Sequence, residues 1–139
     1  MVLFIDDEAR YVDSYVQELK LLGYDVQFQD CREGVETALE FFEENAHEVE
    51  LLILDIIMPP GFAFQDDNTE LGLRTGIAFF DQARSVRPDL PVIVLSNVTK
   101  EQVGDRFASE ENFLYVGKDD CYPFELSARI DRMLNSSSR

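Results

Sequence analysis

Four short stretches of the chain contain only apolar or aromatic residues, and each ends at a polar residue or a glycine. They cover residues 2–5, 51–54, 92–95 and 113–116. Continuous runs of this length, rich in β-branched and aromatic residues, predict strands, and we expect those at 2–5, 51–54 and 92–95 to be buried on both faces of a sheet. A further segment, residues 25–29, alternates polar and apolar positions. It therefore predicts a strand with one wetter face, as at the edge of a sheet.

Apolar residues at helical spacing fill the intervals between these strands. A first helix follows the first strand, with Asp7 placed to cap its start and Gly23 placed to end it. Similar stripes predict four more helices, near residues 35–42, 76–86, 99–108 and 123–134. Strands that alternate with helices five times imply a parallel sheet with helices on both faces, because parallel neighbours need crossover connections. The fold class is therefore α/β, a doubly wound (βα)5 unit with a five-stranded parallel sheet.

The length of the chain suits one domain. It has 139 residues, of which 45% are hydrophobic, enough for one core without disulfides or structural metals. We assign residues 1–134 to this domain and the polar residues 135–139 to a tail.

Acidic residues greatly outnumber basic ones. Lys and Arg total 12 and Asp and Glu total 28, so the formal net charge is −16. This charge repels phosphate backbones and anionic lipids, so we expect no direct nucleic-acid binding and no membrane binding. Cys31 and Cys121 form no zinc pattern, and the N-terminus lacks the basic region of a signal peptide. We therefore expect a cytoplasmic protein with reduced thiols.

Candidate chemistry lies where the predicted strands end. The first strand ends in Asp6 and Asp7, the third in Asp55, the fourth in Ser96 and the fifth in Lys118. In open parallel sheets, ligands bind beyond these carboxyl ends. Three converging carboxylates repel one another, so this edge is expected to recruit a hard divalent cation, Mg²⁺ or Mn²⁺.

An Asp in such a site can act as a nucleophile that accepts a phosphoryl group. The charge on the transferred group spreads over three oxygens, which need cations and hydrogen-bond donors. Mg²⁺, the Lys118 ammonium and the Ser96 hydroxyl can supply one partner each. That division leaves Asp55 as the acceptor, with Asp6 and Asp7 as the anchors of the metal.

These residues, in this order, resemble the receiver domain of two-component response regulators over essentially the whole chain, as a single-domain protein. The matching features are the acid pair Asp6 and Asp7, Asp55 followed by Ile-Ile-Met-Pro, Ser96, and Tyr115 three residues before Lys118. The resemblance implies the flavodoxin-like strand order 2-1-3-4-5. That order agrees with an alternating second strand at the edge of the sheet.

The resemblance also implies a role for each site residue. Asp7, Asp55 and the backbone carbonyl of Ile57 hold Mg²⁺, and Asp6 contributes through water. Asp55 takes the phosphoryl group from a sensor histidine kinase or a histidine phosphotransfer protein. Ser96 and Lys118 then bind the phosphoryl oxygens.

Phosphorylation is implied to act as a switch. Tyr115 turns into the space that Ser96 vacates and changes the face formed by the fourth helix, the fifth strand and the fifth helix. That face would control an unidentified downstream protein, with the chain as a monomer or a phosphorylation-dependent dimer. The protein would not be an enzyme, beyond self-catalysed phosphotransfer and dephosphorylation. The simpler alternative makes Tyr115 an ordinary core residue.

Two features depart from the family pattern. Asp119 follows Lys118 where receivers usually have proline. The segment of residues 60–75 is also longer than usual, and loops beyond about 12–15 residues are commonly functional or disordered. This segment is either a solvated acidic flap or a lid or docking loop, with these candidate residues: Phe62, Phe64, Asp66, Asp67 and Glu70.

Two other functions are consistent with the sequence. One is a pseudo-receiver, an interaction module of the same fold that is not phosphorylated, which Asp119 and the long loop slightly favour. The other is a Mg²⁺-dependent phosphohydrolase that passes through an aspartyl phosphate. Enzymes of the haloacid-dehalogenase type carry a second Asp two residues after the nucleophile, whereas this chain has Ile57 there. An apolar residue cannot act as the acid or base, which argues against turnover.

Overall fold

Five parallel strands form the sheet around which the chain is arranged. The computed structural model describes residues 1–58, 75–98 and 106–137. Its strands are β1 (Val2–Asp6), β2 (Val26–Asp30), β3 (Leu51–Leu54), β4 (Val92–Ser96) and β5 (Phe113–Gly117). Their order in the sheet is β2-β1-β3-β4-β5, with every neighbouring pair parallel. The predicted flavodoxin-like topology is confirmed.

The described residues contain four α-helices: α1 (Ala9–Leu21), α2 (Glu36–Asn45), α3 (Thr75–Val86) and α4 (Pro123–Ser137). Single turns of 3₁₀ helix follow α2 and β5, at Ala46–Glu48 and Lys118–Asp120. The last helix predicted from the sequence is α4, and it continues into the segment assigned to the polar tail. None of the described helices has the length and apolar character needed to cross a membrane.

Two predicted segments lie mainly outside the described residues. The predicted fourth helix, residues 99–108, is described only from Arg106, where the chain forms a turn. The candidate lid or docking loop, residues 60–75, is described only at Thr75, which begins α3. All the loop residues singled out in the sequence lie outside the described ranges: Phe62, Phe64, Asp66, Asp67 and Glu70.

Hydrophobic layers cover both faces of the sheet, because successive residues of a strand point to opposite sides. Leu3 and Ile5 of β1 join the layer under α2 and α3, whereas Val2 and Phe4 join the layer under α1 and α4. Every residue of β1, β3 and β4 is buried. The predicted burial of these three strands on both faces is thus confirmed, and the partly exposed β2 and β5 form the two edges of the sheet.

Of the two predicted caps of α1, the one at its start is wrong and the one at its end is correct. The prediction that Asp7 caps the helix is wrong, because α1 begins at Ala9 after Glu8 and no side chain caps it. The Asp7 carboxylate lies instead among the acids at the strand ends. The predicted stop at Gly23 is correct: its φ of 93° is a conformation that favours glycine, and its amide donates to a carbonyl of the last helical turn.

Candidate functional site

Four charged or polar side chains are buried where the strands end. Asp6 ends β1, Asp55 follows β3, Ser96 ends β4 and Lys118 follows β5. Their exposed fractions are 1%, 3%, 0% and 2%, in that order. Charged groups are rarely buried so deeply unless they are paired, so the partners of these side chains define the chemistry of the site.

The Lys118 ammonium is the cationic centre of this group. Its Nζ lies 3.2 Å from Asp55 Oδ2, 3.1 Å from Asp6 Oδ2 and 3.3 Å from Glu8 Oε1. Burial alone would lower the pKa of Lys118, but the adjacent Asp55 and Asp6 carboxylates outweigh burial and raise that pKa. Lys118 is therefore a permanent positive charge held against Asp55.

Acidic side chains converge beside this ammonium. One oxygen from each of Asp6, Asp7, Glu8 and Asp55 lies within 4.8 Å of the others. Burial, reinforced by the charge of Asp55, raises the pKa of Asp6 to about 7 and also raises the pKa of Asp7. This concentration of like charge is unfavourable at neutral pH, so the site favours a further cation besides Lys118.

The oxygen donors of the site fit a divalent cation. Asp7 Oδ1 is buried and accepts no hydrogen bond from the described part of the chain, so it retains its lone pairs for a ligand. Asp6 Oδ2 contacts the Lys118 ammonium and, as a carboxylate oxygen, can accept from a second partner as well. Hard oxygen donors of this kind suit Mg²⁺, which takes one or two carboxylates and completes its shell with water. The carbonyl of Ile57, the further ligand that the resemblance implies, stays a prediction.

Backbone contacts fix the segment that presents the Asp55 carboxylate. Asp55 Oδ1 accepts a hydrogen bond from the Ile56 amide at 2.7 Å, while Oδ2 pairs with Lys118. The first turn of α3 packs on the same segment, where the Gly76 amide donates to the Ile56 carbonyl at 2.8 Å. A Cβ at position 76 would lie 1.9 Å from the Asp55 carbonyl oxygen, so this approach requires glycine.

The two predicted switch residues meet at the backbone of Val98. The Ser96 hydroxyl accepts a hydrogen bond from the Val98 amide at 3.2 Å, and the Tyr115 hydroxyl donates to the Val98 carbonyl. Burial and the charge of Asp55 raise the pKa of Tyr115 to about 12, so the phenol stays protonated and able to donate. The Tyr115 ring lies 6.3 Å, between centroids, from that of Phe107.

Three side chains near Lys118 were not among the predicted site residues. Glu8 extends the acidic run that ends β1 and pairs with the ammonium. Tyr11 and Tyr15, one turn apart on α1, reach the segment after β5: the Tyr15 hydroxyl donates to the Lys118 carbonyl at 3.1 Å, and the Tyr11 hydroxyl donates to Asp119 Oδ1 at 3.1 Å. The length of the acidic run and the helical spacing of the tyrosines were visible in the sequence, but their partners were not.

The structure places the predicted residues in one region. The carboxylates of Asp6, Asp7 and Asp55 lie close together, and Lys118 contacts Asp6 and Asp55. Ser96 ends β4, the strand next to β3. The peptide bond after Lys118 is trans, as are the other peptide bonds of the described ranges. The chemical roles that the resemblance implies for these residues stay predictions.

Solved receiver domains share the fold of this chain. A CheY-like response regulator receiver domain protein from Methanospirillum hungatei JF-1 gives a TM-score of 0.69 with 19% identity, over 99% of this chain and 94% of that chain. A response regulator receiver domain protein from Clostridium thermocellum gives 0.75 with 22% identity, over 99% and 95%. The receiver domain of the hybrid histidine kinase CckA gives 0.68 with 26% identity, over 96% and 97%.

Comparisons of sequence alone add nothing further, since no protein-family model and no curated protein matches the chain. The likeness therefore lies in the topology of the sheet and the placement of the helices on it. It extends from the first strand to the last helix. The structural neighbours of this chain are CheY-like response regulator receiver domains, and the chain has their fold over nearly its whole length.

Proposed function

We propose that this protein is a phosphorylation-dependent signalling switch whose phosphoacceptor is Asp55. The observation that carries the proposal is the buried contact of 3.2 Å between Asp55 Oδ2 and the Lys118 ammonium. An ammonium in this place can neutralise charge on a phosphoryl group that becomes attached to Asp55. The convergent acids beside it and the receiver fold around it support the same function.

The proposed reaction moves a phosphoryl group from a phosphohistidine to Asp55. A carboxylate oxygen of Asp55 attacks phosphorus, and the bond between phosphorus and the imidazole nitrogen breaks. The nitrogen keeps the electron pair and then takes a proton, while Asp55 becomes an aspartyl phosphate. The donor is a sensor histidine kinase or a histidine phosphotransfer protein, and the chain itself is not an enzyme in the ordinary sense.

Mg²⁺ is the proposed cofactor, with Mn²⁺ as a substitute of similar ligand preference. Asp7, Asp55 and the Ile57 carbonyl would hold the ion, and Asp6 would contribute through water. When bound, the ion supplies positive charge that offsets the charge on the phosphoryl oxygens. Glu8 has an oxygen within the same cluster and adds to its negative charge.

The proposed switch starts from the Ser96 and Tyr115 contacts with Val98. The Ser96 hydroxyl and the Lys118 ammonium would turn to the phosphoryl oxygens, and Tyr115 would move into the space that Ser96 leaves. This movement would change the surface formed by β5, α4 and the segment 99–108. We propose that this surface controls a downstream protein, and that the protein acts in the cytoplasm as a monomer or a phosphorylation-dependent dimer.

Intact-mass measurement tests the phosphoacceptor directly. With Mg²⁺ and acetyl phosphate, the wild-type protein should gain one phosphoryl group, whereas Asp55→Ala and wild type in excess chelator should gain none. Asp89→Ala is a matched control, because Asp89 is an exposed acid shortly before β4, at the end of that strand away from Ser96 and the site. It should be labelled like the wild type.

Beryllofluoride binding tests the same site without a phosphodonor. The proposal expects binding that requires both Mg²⁺ and Asp55. No mass adduct together with no beryllofluoride binding would refute the switch and favour the pseudo-receiver. Continuous release of phosphate with no lasting adduct would favour the phosphohydrolase.

A further inference from the structure

Tyr15 anchors the backbone of the segment that carries Lys118. Its side chain is buried in the layer between α1 and α4, with only the hydroxyl directed at polar atoms. That hydroxyl lies 3.1 Å from the Lys118 carbonyl and 2.5 Å from the Cys121 carbonyl. Burial raises the pKa of Tyr15 to about 12, so the group remains a donor. The backbone on both sides of Asp119 is thereby tied to α1.

Tyr11, one turn earlier on the same face of α1, contacts two side chains of this segment. Its hydroxyl donates to Asp119 Oδ1 at 3.1 Å. Its ring centroid lies 5.1 Å from Lys118 Nζ, inside the distance of about 6 Å at which a cation is attracted to a ring face. Tyr11 is 40% exposed while the Lys118 side chain is fully buried, so the ring forms part of the cover over the ammonium.

Lys118 needs such a constraint because several acceptors compete for its ammonium. Asp55 and Asp6 hold it on the buried side, whereas Glu8 contacts it with a side chain that is 48% exposed. A lysine side chain is a flexible stem with freely rotating donors, and it does not select one carboxylate by shape. A ring fixed against the ammonium restricts it to positions near Asp55.

We propose that Tyr11 is a positioning residue for Lys118: its ring and its hydrogen bond to Asp119 together hold the ammonium in place for the phosphoryl group on Asp55. The inference rests on the proposed function and adds to it a residue that is neither a proposed phosphoryl ligand nor a proposed metal ligand. Its consequence is kinetic, since a pre-positioned ammonium lowers the reorganisation needed when phosphoryl charge arrives.

Four variants separate the two contacts of Tyr11. Tyr11→Phe keeps the ring and loses the hydrogen bond, whereas Tyr11→Leu loses both. Asp119→Ala removes the acceptor, and Asp119→Asn keeps one. Tyr122→Phe is the matched control, because Tyr122 lies on the same segment, is 68% exposed, and its hydroxyl makes no hydrogen bond within the described residues.

The rate of Asp55 labelling by acetyl phosphate, measured over a range of concentrations, gives the first readout. Tyr11→Leu should lower the maximal rate by roughly four- to tenfold, because it loses the exposed cation–π contact, worth about two- to fivefold, and the hydrogen bond, worth about twofold. Tyr11→Phe and Asp119→Ala should lower it by about twofold, as expected for one exposed hydrogen bond. Asp119→Asn, which keeps an acceptor, should lose less than Asp119→Ala, and Tyr122→Phe should match the wild type. The concentration of acetyl phosphate at half-saturation should not change.

The resonance of the Lys118 ε-methylene gives a second readout in the unphosphorylated protein. In wild type the Tyr11 ring current should displace this resonance, and Lys118→Arg identifies it by its loss. Tyr11→Leu should return it toward the position of an ordinary lysine, while Tyr11→Phe should leave it displaced. Thermal unfolding of each variant checks that the fold is intact.

The outcomes separate this inference from the proposed function. The positioning role would be overturned if the Lys118 resonance had the same chemical shift in Tyr11→Leu as in wild type. It would also be overturned if Tyr11→Leu were labelled as fast as Tyr122→Phe. Neither result would contradict the proposed switch. A wild-type protein that is neither labelled nor able to bind beryllofluoride would overturn the proposed function, and the positioning role for phosphoryl binding with it.

Discussion

Gly76 and Asp55 touch through their backbones: a Cβ on residue 76 would lie 1.9 Å from the Asp55 carbonyl oxygen and 2.5 Å from the Ile56 Cα. Backbone atoms at the buried end of a strand cannot move away as the end of a flexible side chain can. The first turn of α3 and the segment carrying Asp55 therefore form one closely packed unit. Any residue larger than glycine at position 76 must push the two apart.

Gly76→Ala should destabilise the protein, even though alanine favours a helix more than glycine does. We expect a loss of about 2 kcal/mol or more in the free energy of unfolding, since overpacking a filled site typically costs about 1–3 kcal/mol. Urea unfolding measures it. Gly117→Ala is the matched control, because there the added Cβ meets only the movable Asp120 carboxylate, at 2.9 Å. Equal stability of the two variants would contradict the packing account.

Stability should fall as pH rises, because of Asp6. Burial first, and then the charge of Asp55, raise the pKa of Asp6 from 3.8 to about 7 in the folded protein. Between these values the folded state binds more protons than the unfolded state. The stability that Asp6 contributes is therefore fully present below about pH 4 and is lost as the pH rises toward 7. The raised pKa of Asp7 acts in the same direction. The shift in the pKa of Asp6 corresponds to roughly 4 kcal/mol in the free energy of unfolding.

Unfolding in urea at several pH values between about 5 and 8, with chelator present, checks this linkage. Asp6→Asn should flatten the profile, since an amide does not titrate, whereas Asp89→Asn should leave it unchanged. Saturating Mg²⁺ should raise stability most at the upper end of the range, where the carboxylates are charged. A wild-type protein that becomes more stable from pH 5 to pH 8 without metal would show that Asp6 is ionised in the folded state at lower pH.

Lys118→Met should destabilise the protein, because the Lys118 ammonium normally offsets the repulsion between the Asp6 and Asp55 carboxylates. The substitution keeps a long side chain but leaves Asp6 and Asp55 without their buried cation, and breaking a buried pair in this way costs about 3–5 kcal/mol. We expect a loss of that order at about pH 8 and a smaller loss at about pH 5, where Asp6 is protonated. Lys20→Met, at an exposed lysine of α1, is the control. Parallel pH profiles for the two variants would contradict this role of Lys118.

Much of the architecture was predictable because the burial of a strand determines which of its positions are apolar. Strands covered on both faces, such as Leu51–Leu54, must be apolar throughout, and the edge strand Val26–Asp30 alternates. The location of the site followed as well, because all parallel strands end at one edge and bring Asp6, Asp55 and Lys118 together there. Neither inference needed knowledge of individual contacts.

The remaining features depend on tertiary contacts that no local pattern encodes. Tyr11 meets Asp119 across 108 positions of sequence, and the stripe containing Tyr15 predicts only burial, not the carbonyls that its hydroxyl meets. Asp7 suited both a helix cap and a ligand, and local propensity alone favoured the cap. In the structure no side chain caps α1, and the Asp7 carboxylate lies among the acids at the strand ends.

Ile57→Asn should shorten the lifetime of the aspartyl phosphate. Ile57 stands two residues after Asp55, the proposed acceptor, with a side chain that is 43% exposed, and its apolar atoms cannot orient an attacking water. An amide there could hold one, so we expect hydrolysis to accelerate by roughly tenfold, well below the ~10²–10⁴ of a fully positioned base. Loss of the phosphorylated mass after removal of acetyl phosphate measures the rate, with Ile57→Leu as the apolar control. An Asn variant no faster than the Leu variant would indicate that some other group limits access of water to Asp55.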